Sequence, residues 1–131
     1  MTIIVNSANW DGVDLASGDE IGVFDGDLCV GYYEIDGSTS YPINIVVSKE
    51  DDGNDGFVTN HEIQFRVYKS NINGGIAVDA HSDFSLVDEG VTDVFVGNGT
   101  AVATINVNKP TAVRSLTLTD PSYPYPSGIE P

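Results

Sequence analysis

Short apolar runs, closely interrupted by Gly, Asn, Asp and Pro, are the feature that most limits what this chain can fold into. The runs are rich in β-branched residues, and no apolar pattern of helical spacing persists along the chain. An amphipathic helix needs such a pattern, whereas strands need only short alternating or continuous apolar runs. The spacing of eight or nine such runs predicts an all-β fold with the architecture of a β-sandwich.

Turn signals of specific chemistry separate the predicted strands. Asp25-Gly26 marks a tight hairpin, because Asp-Gly suits the positive φ angles of a short loop, and Asn73-Gly74-Gly75 and Gly97-Asn98-Gly99 repeat this chemistry. The run 28–35 is apolar on both faces and predicts a central strand, with Cys29 as a buried, inert thiol. The predicted strands cover residues 2–6, 20–24, 28–35, 43–48, 62–68, 75–79, 94–96, 100–107 and 112–119.

Length and charge narrow the classes of partner. The chain has 131 residues, which suits one domain with its own core, and a net charge of −15 at pH 7. The electrostatic field of this negative charge repels nucleic acid and anionic membrane, so we expect no nucleic acid partner and no membrane insertion. A single Cys provides no disulfide framework. The N-terminus lacks the basic and apolar regions of a signal peptide.

The C-terminal part of the sequence differs from the rest. Lys109-Pro110 predicts a hinge, since proline cannot donate to a ladder. We therefore divide the chain into a β-sandwich domain, 1–109, and a segment, 110–131, that contains an extra strand and a Pro-rich extended tail. The sequence leaves open whether the extra strand pairs within its own molecule, pairs with another molecule or serves as a linker. Its predicted contact residues are Ala112, Val113, Leu116 and Leu118.

Residues 17–31, SGDEIGVFDGDLCVG, resemble a module of secreted and cell-surface bacterial proteins that are exported by the type IX route. The acidic stretch 49–57, the strand 63–68 and the linker-like KPTAVRSLTL extend the resemblance. It implies an immunoglobulin-like, antiparallel β-sandwich that is non-catalytic. It also implies an extracellular or cell-surface location after removal of a leader that this chain does not contain. It implies no particular ligand.

An acidic connection lies between the predicted strands 43–48 and 62–68. Counted from Asp51, it follows the spacing of an EF-hand calcium loop, with the Phe57 carbonyl among the donors, although Gly53 replaces one ligand and the flanks are strands. The EF-hand fold is therefore rejected, but the clustered oxygen donors still predict Ca²⁺ binding. A solvated acidic loop is the alternative. The predicted calcium ligands are Asp51, Asp52, Asn54, Asp55 and Glu62.

Other candidate sites are weaker. Asn98 begins an Asn-Gly-Thr glycosylation pattern within a predicted turn. We expect no enzymatic activity, because no nucleophile-elbow or phosphate-binding pattern occurs, and a small domain rarely supplies a supported cleft. A set of aromatic residues could stack on sugars or simply fill the core: Trp10, Tyr32, Tyr33, Tyr41 and Tyr68.

Two functional hypotheses follow from the sequence. In the first, the protein is a subunit of an extracellular fibre, a homopolymer that assembles head to tail by strand addition, with calcium stabilising a loop. In the second, it is a carbohydrate-binding or adhesive module of a larger secreted protein, with surface glycans as partners. An exposed row of aromatic side chains favours the second hypothesis, and an open sheet edge favours the first.

Overall fold

A computed structural model describes residues 1–108, which form an all-β fold without helices. The predicted all-β class is confirmed, while the predicted strand 112–119 and the Pro-rich tail lie outside the described residues. Residues 1–108 contain no helix that is long and apolar enough to cross a bilayer. The strands are β1 (Thr2–Trp10), β2 (Val13–Asp14), β3 (Glu20–Asp25), β4 (Leu28–Glu34), β5 (Ile43–Val46), β6 (Gln64–Lys69), β7 (Ile76–Phe84) and β8 (Thr100–Val107).

The strands form one curled, mixed sheet. Their order is β2-β1-β8-β7-β6-β3-β4, and β5 pairs with β1 on the same edge as β2. The first half of β7 pairs with β6 and the second half with β8, so this strand joins the two parts of the sheet. β1 and β8 are parallel, whereas the sequence predicted only antiparallel pairs. A parallel pair needs a long crossover, and here the six intervening strands provide it.

Alternating residues of the long strands supply the hydrophobic core. In β8 every second side chain is buried, from Ala101 to Val107, and β3 and β6 contribute Ile21, Val23 and Val67 in the same way. Successive side chains of a strand point to opposite faces, so each of these strands has one buried face and one outer face. The outer faces of β3, β4, β6 and β7 carry the side chains that form the grooves described below.

Two strand predictions differ from the structure by more than two residues in extent. β1 and β7 run several residues beyond the predicted 2–6 and 75–79, because each pairs with different partners along its length. The predicted strand 94–96 is wrong, since only one bridge forms there, between Val94 and Glu62. Phe95 is fully buried and its backbone bonds to the loop before β6, so the pairing ends after a single bridge.

β4 is an edge strand and not the predicted central strand. It pairs with β3, and no other strand of residues 1–108 pairs with its second edge. Its register with β3 places Tyr32 and Glu34 on the outer face. Cys29 is exposed, which contradicts the predicted buried thiol. A continuous apolar run indicates burial only when both faces are covered, and the neighbours of a strand cannot be read from its own residues.

A buried ion pair joins the start of β3 to the end of β6. Asp19 is fully buried and accepts a hydrogen bond of 2.8 Å from Lys69 Nζ, and Lys69 is 9% exposed. The same carboxylate accepts hydrogen bonds from the Ala16 N–H at 2.7 Å and the Ser70 N–H at 3.0 Å, and from the Ser70 hydroxyl at 3.1 Å. A buried charge is tolerated when it is paired and hydrogen-bonded in this way.

We expect the contribution of this network to stability to decrease at acid pH. Burial raises the pKa of Asp19, but the hydrogen bonds from Lys69, Ser70 and Ala16 outweigh burial, so the pKa lies below its usual value. An unfolded aspartate titrates at about 3.9. The stabilisation from charged Asp19 is therefore complete above that pH and is lost as the pH falls through the lower, folded-state pKa.

Urea unfolding between about pH 6 and about pH 2 checks this expectation. The difference in free energy of unfolding between the wild type and Asp19→Asn should shrink as the pH falls, since the asparagine cannot titrate. Parallel pH profiles of the two proteins would contradict it.

Candidate functional site

The acidic connection between β5 and β6 is a loop closed by its own backbone. Phe57 N–H donates to the Ser48 carbonyl and Glu50 N–H to the Phe57 carbonyl, both at 2.9 Å. Asp51 and Asn54 exchange backbone hydrogen bonds around a turn at Asp52-Gly53, where both φ angles are positive. The loop is therefore an ordered projection rather than an open coil.

Two neighbouring residues anchor this loop to the body of the protein. The Phe57 ring is fully buried and stacks on Phe95, with 4.9 Å between ring centroids and an angle of 11° between the planes. A Cβ at Gly56 would lie 2.6 Å from the backbone nitrogen of Glu50, so only glycine permits this close approach of two backbone segments. The apolar anchor faces inward, and the acidic side chains consequently face solvent.

The structure places the predicted calcium ligands on the exposed side of the loop: Asp51, Asp52, Asn54, Asp55 and Glu62. The Phe57 carbonyl, expected among the donors, already accepts the Glu50 N–H. Within residues 1–108 no three acidic, histidine or cysteine side chains are grouped so that they could hold a metal ion. These carboxylates therefore form no preassembled ligand set, and calcium binding stays a prediction that would draw on carbonyl and amide oxygens as well.

Asp25 links the β3–β4 hairpin to the acidic loop. Its carboxylate accepts a hydrogen bond of 2.8 Å from the Val58 N–H, and its Oδ1 lies 2.8 Å from His61 Nδ1. The sequence predicted a hairpin turn at Asp25, and the hairpin is confirmed by the two-residue connection Gly26-Asp27. The contact with residues more than 30 positions away had no sequence signal.

The aromatic side chains separate into a core group and a surface group. Trp10 is buried, and Tyr33 and Tyr41 pack against the core. Burial raises the pKa of Tyr41, with smaller contributions from Asp14, Tyr33 and Asp19. Tyr32, by contrast, is 67% exposed. Tyr32 and Tyr68 both lie on the outer face of the sheet, where Phe24 joins them.

These three rings line an open depression of about 330 Å³, which we call the aromatic groove. Gly22 forms its floor, because a Cβ there would lie only 2.7 Å from the Phe24 ring. Arg66 stacks over the same ring, with its guanidinium carbon 4.2 Å from the centroid. Sequence inspection missed Phe24 and Arg66, although the period-two spacing of Arg66 and Tyr68 on one strand was an available signal.

A second depression adjoins the first at Arg66, and we call it the polar groove. It is open to solvent, has a volume of about 620 Å³ and is lined by side chains that include Asp27, Glu62, Gln64 and His81. Arg66 reaches Asp27 at 3.1 Å and Asp79 at 3.3 Å. These two exposed carboxylates offset the charge of the guanidinium, which lies between the two grooves.

Two groups of predicted site residues remain, the glycosylation site and the assembly strand. Asn98 lies exposed in the turn before β8, where its positive φ of 59° suits asparagine. The turn is therefore as predicted, and glycosylation there stays a prediction. The predicted assembly residues lie outside the described part of the chain: Ala112, Val113, Leu116 and Leu118.

Residues 1–108 thus define an acidic all-β module with an edge strand, an anchored acidic loop and two adjoining grooves on one sheet face. Comparisons of the chain with models of known protein families, with curated proteins and with solved structures found no match.

Proposed function

We propose that this protein is a non-catalytic structural subunit of an extracellular fibre. In this proposal, residues 112–119 of one copy pair with the open edge of β4 in the next copy. The contact uses two different surfaces of the molecule, so it repeats head to tail and produces a filament. The observation that carries the proposal is the second edge of β4, with which no strand of residues 1–108 pairs.

β4 has few of the features by which proteins usually block an edge strand; the one present is an irregularity in its pairing with β3 that leaves Val30 without a partner. Natural edges carry lysine, proline, bulges or very short strands. β4 has seven residues, contains neither Lys nor Pro, and carries no charge before Glu34 at its end. Leu28 and Tyr32 expose apolar surface along it. A row of free backbone groups beside apolar side chains is the acceptor that strand addition requires.

The sequence of the C-terminal segment supplies a matching donor. Residues 112–119 have about the length of β4 and alternate apolar positions such as Leu116 and Leu118. Residues 109–119 contain Lys109 and Arg114 but no acidic residue, whereas all acidic residues except Asp120 and Glu130 belong to residues 1–108. Opposite charge speeds the encounter of such surfaces and favours the correct partner.

The proposal also includes an extracellular location and calcium binding by the acidic loop. The resemblance to modules exported by the type IX route supports an extracellular site. Calcium ions in that environment would neutralise the acidic loop, and a ligand at a hundredfold excess over its Kd adds about 2.7 kcal/mol of stability. The assembly experiment below is therefore run both with calcium and with chelator.

Particle size measured by light scattering and electron microscopy tests strand addition in the full chain. The wild type should form long particles. A double variant, Leu116→Asp with Leu118→Asp, should remain monomeric because it places charge in the donor strand. Leu28→Lys should reduce assembly because a lysine on the edge opposes pairing.

Val87→Lys is the matched control, since Val87 is 86% exposed and lies outside every strand of residues 1–108. It changes the net charge by the same amount as Leu28→Lys and should assemble like the wild type. Monomers of the wild type in both buffers would refute the proposal and favour pairing of residues 112–119 within one molecule.

A further inference from the structure

The outer face of β4, β3, β6 and β7 carries two adjoining grooves. We propose that its two grooves together bind a neutral oligosaccharide. Sugar rings would stack on Tyr32 and Tyr68 in the aromatic groove, and the chain would continue into the polar groove across Arg66. The exposed rings, the contact of Arg66 with Phe24 and the charges around the face support this proposal.

The aromatic groove offers flat apolar surfaces at a defined spacing. Gly22 on β3 is paired with Tyr32 on β4 and, across its other edge, with Arg66 on β6. Tyr68 is paired with Glu20, two residues away along β3. With about 4.8 Å between strands and 3.4 Å per residue, the two tyrosines are roughly 12 Å apart across the glycine floor. Two sugar rings of one chain can therefore occupy the groove.

Contacts on the same face hold the groove in shape before any ligand arrives. The Phe24 ring lies between the floor at Gly22 and the guanidinium of Arg66. Asp27 and Asp79 contact Arg66 from the other side, at 3.1 and 3.3 Å. A site that is ordered in advance loses less conformational entropy when it binds.

The polar groove offers hydrogen-bonding partners for the hydroxyl groups of a sugar. Its side chains provide carboxylate, amide, imidazole and hydroxyl groups, from Glu62, Gln64, His81 and Ser82 among others. A saccharide has apolar ring faces and a dense set of hydroxyl donors and acceptors, so it can use both grooves. An apolar peptide would leave the polar groups of this groove without partners, which costs free energy.

The charges on this face favour a neutral saccharide over an acidic one. Glu20 and Glu34 stand opposite each other on β3 and β4, beside the aromatic groove. Asp27 and Asp79 already offset Arg66, the only cation that lines either groove within residues 1–108. An acidic saccharide would meet this excess of carboxylates and be repelled. Neutral hydroxyl groups, in contrast, can donate hydrogen bonds to the same carboxylates.

Titration of the full chain carrying Leu116→Asp and Leu118→Asp, the double variant expected to remain monomeric, with soluble glucan hexamers tests the site. The probes are a β-1,4-linked, a β-1,3-linked and an α-1,4-linked hexamer, with an oligogalacturonate of equal length as the acidic comparison. Calorimetry gives the affinity, and NMR shifts of the tyrosine rings report the location. At least one neutral hexamer should bind, and the acidic hexamer should bind at least tenfold more weakly. Affinity should fall at least fivefold in Tyr32→Ala and in Tyr68→Ala.

The control variants separate loss of stacking from other changes. Tyr32→Phe keeps the ring and should retain most of the affinity. Val46→Ala removes an equally exposed apolar side chain from β5, outside both grooves, and should bind like the wild type. Failure of all three neutral hexamers to bind at millimolar concentration would overturn the proposal. Equal binding of the acidic hexamer, or unchanged affinity in both alanine variants, would also overturn it.

Discussion

Replacing Asp19 with alanine should lower the free energy of unfolding by about 3–5 kcal/mol, as measured by urea denaturation. The carboxylate is fully buried, and its removal leaves the Lys69 ammonium without its partner at 2.8 Å. The N–H groups of Ala16 and Ser70 lose their acceptor at the same time. An uncompensated buried charge with unpaired donors is among the most costly defects a core can contain.

Asp27→Ala is the matched control for this change. Asp27 also pairs with a cation, Arg66 at 3.1 Å, but its side chain is fully exposed, so the loss should be small. A double variant, Asp19→Ala with Lys69→Met, should recover part of the stability by removing the unpaired ammonium. If Asp19→Ala and Asp27→Ala have equal effects, the buried network does not carry the stability that we assign to it.

Replacing Phe57 with alanine should also cost about 3–5 kcal/mol of unfolding free energy. Its ring is fully buried and stacked on Phe95, so truncation leaves a cavity between the acidic loop and the core. The loop should lose order together with the anchor. Amide NMR signals of Asp51 and Asn54, which exchange backbone hydrogen bonds in the wild type, should shift toward positions typical of coil.

The adjacent residue supplies the comparison for Phe57. Val58 is 44% exposed, and Val58→Ala retains the N–H that donates to Asp25. We expect it to cost less than about 1 kcal/mol and to leave the loop signals in place. A loop that keeps its amide signals in Phe57→Ala would show that the backbone hydrogen bonds alone maintain it.

The acidic loop illustrates why its sequence was informative only in part. Its turn at Asp52-Gly53 follows from residues that tolerate positive φ, and such chemistry is contained within a few positions. Its anchor depends on Phe95, which is distant in sequence, and on close contact between Gly56 and the backbone of Glu50. The spacing that resembled a calcium loop did not reveal that the Phe57 carbonyl accepts a backbone N–H within the loop.

The sequence by itself determined the local features of this protein. The absence of helical periodicity gave an all-β chain, and Asp25-Gly26 and Asn73-Gly74 placed turns between β3 and β4 and between β6 and β7. Charge patterning determined that the body is acidic and that residues 109–119 are basic. These properties depend on residues that are close together in the chain, so no tertiary information is needed to obtain them.

Only the tertiary structure decided which strands are neighbours. It made the apolar β4 an edge strand, it paired β1 with β8 in parallel, and it joined Asp19 to Lys69 across 50 positions. The same arrangement brought Phe24, Arg66 and Tyr68 onto one face around Gly22. Strand order is chosen by the packing of the whole core, because one apolar run can pair with many others at similar local cost.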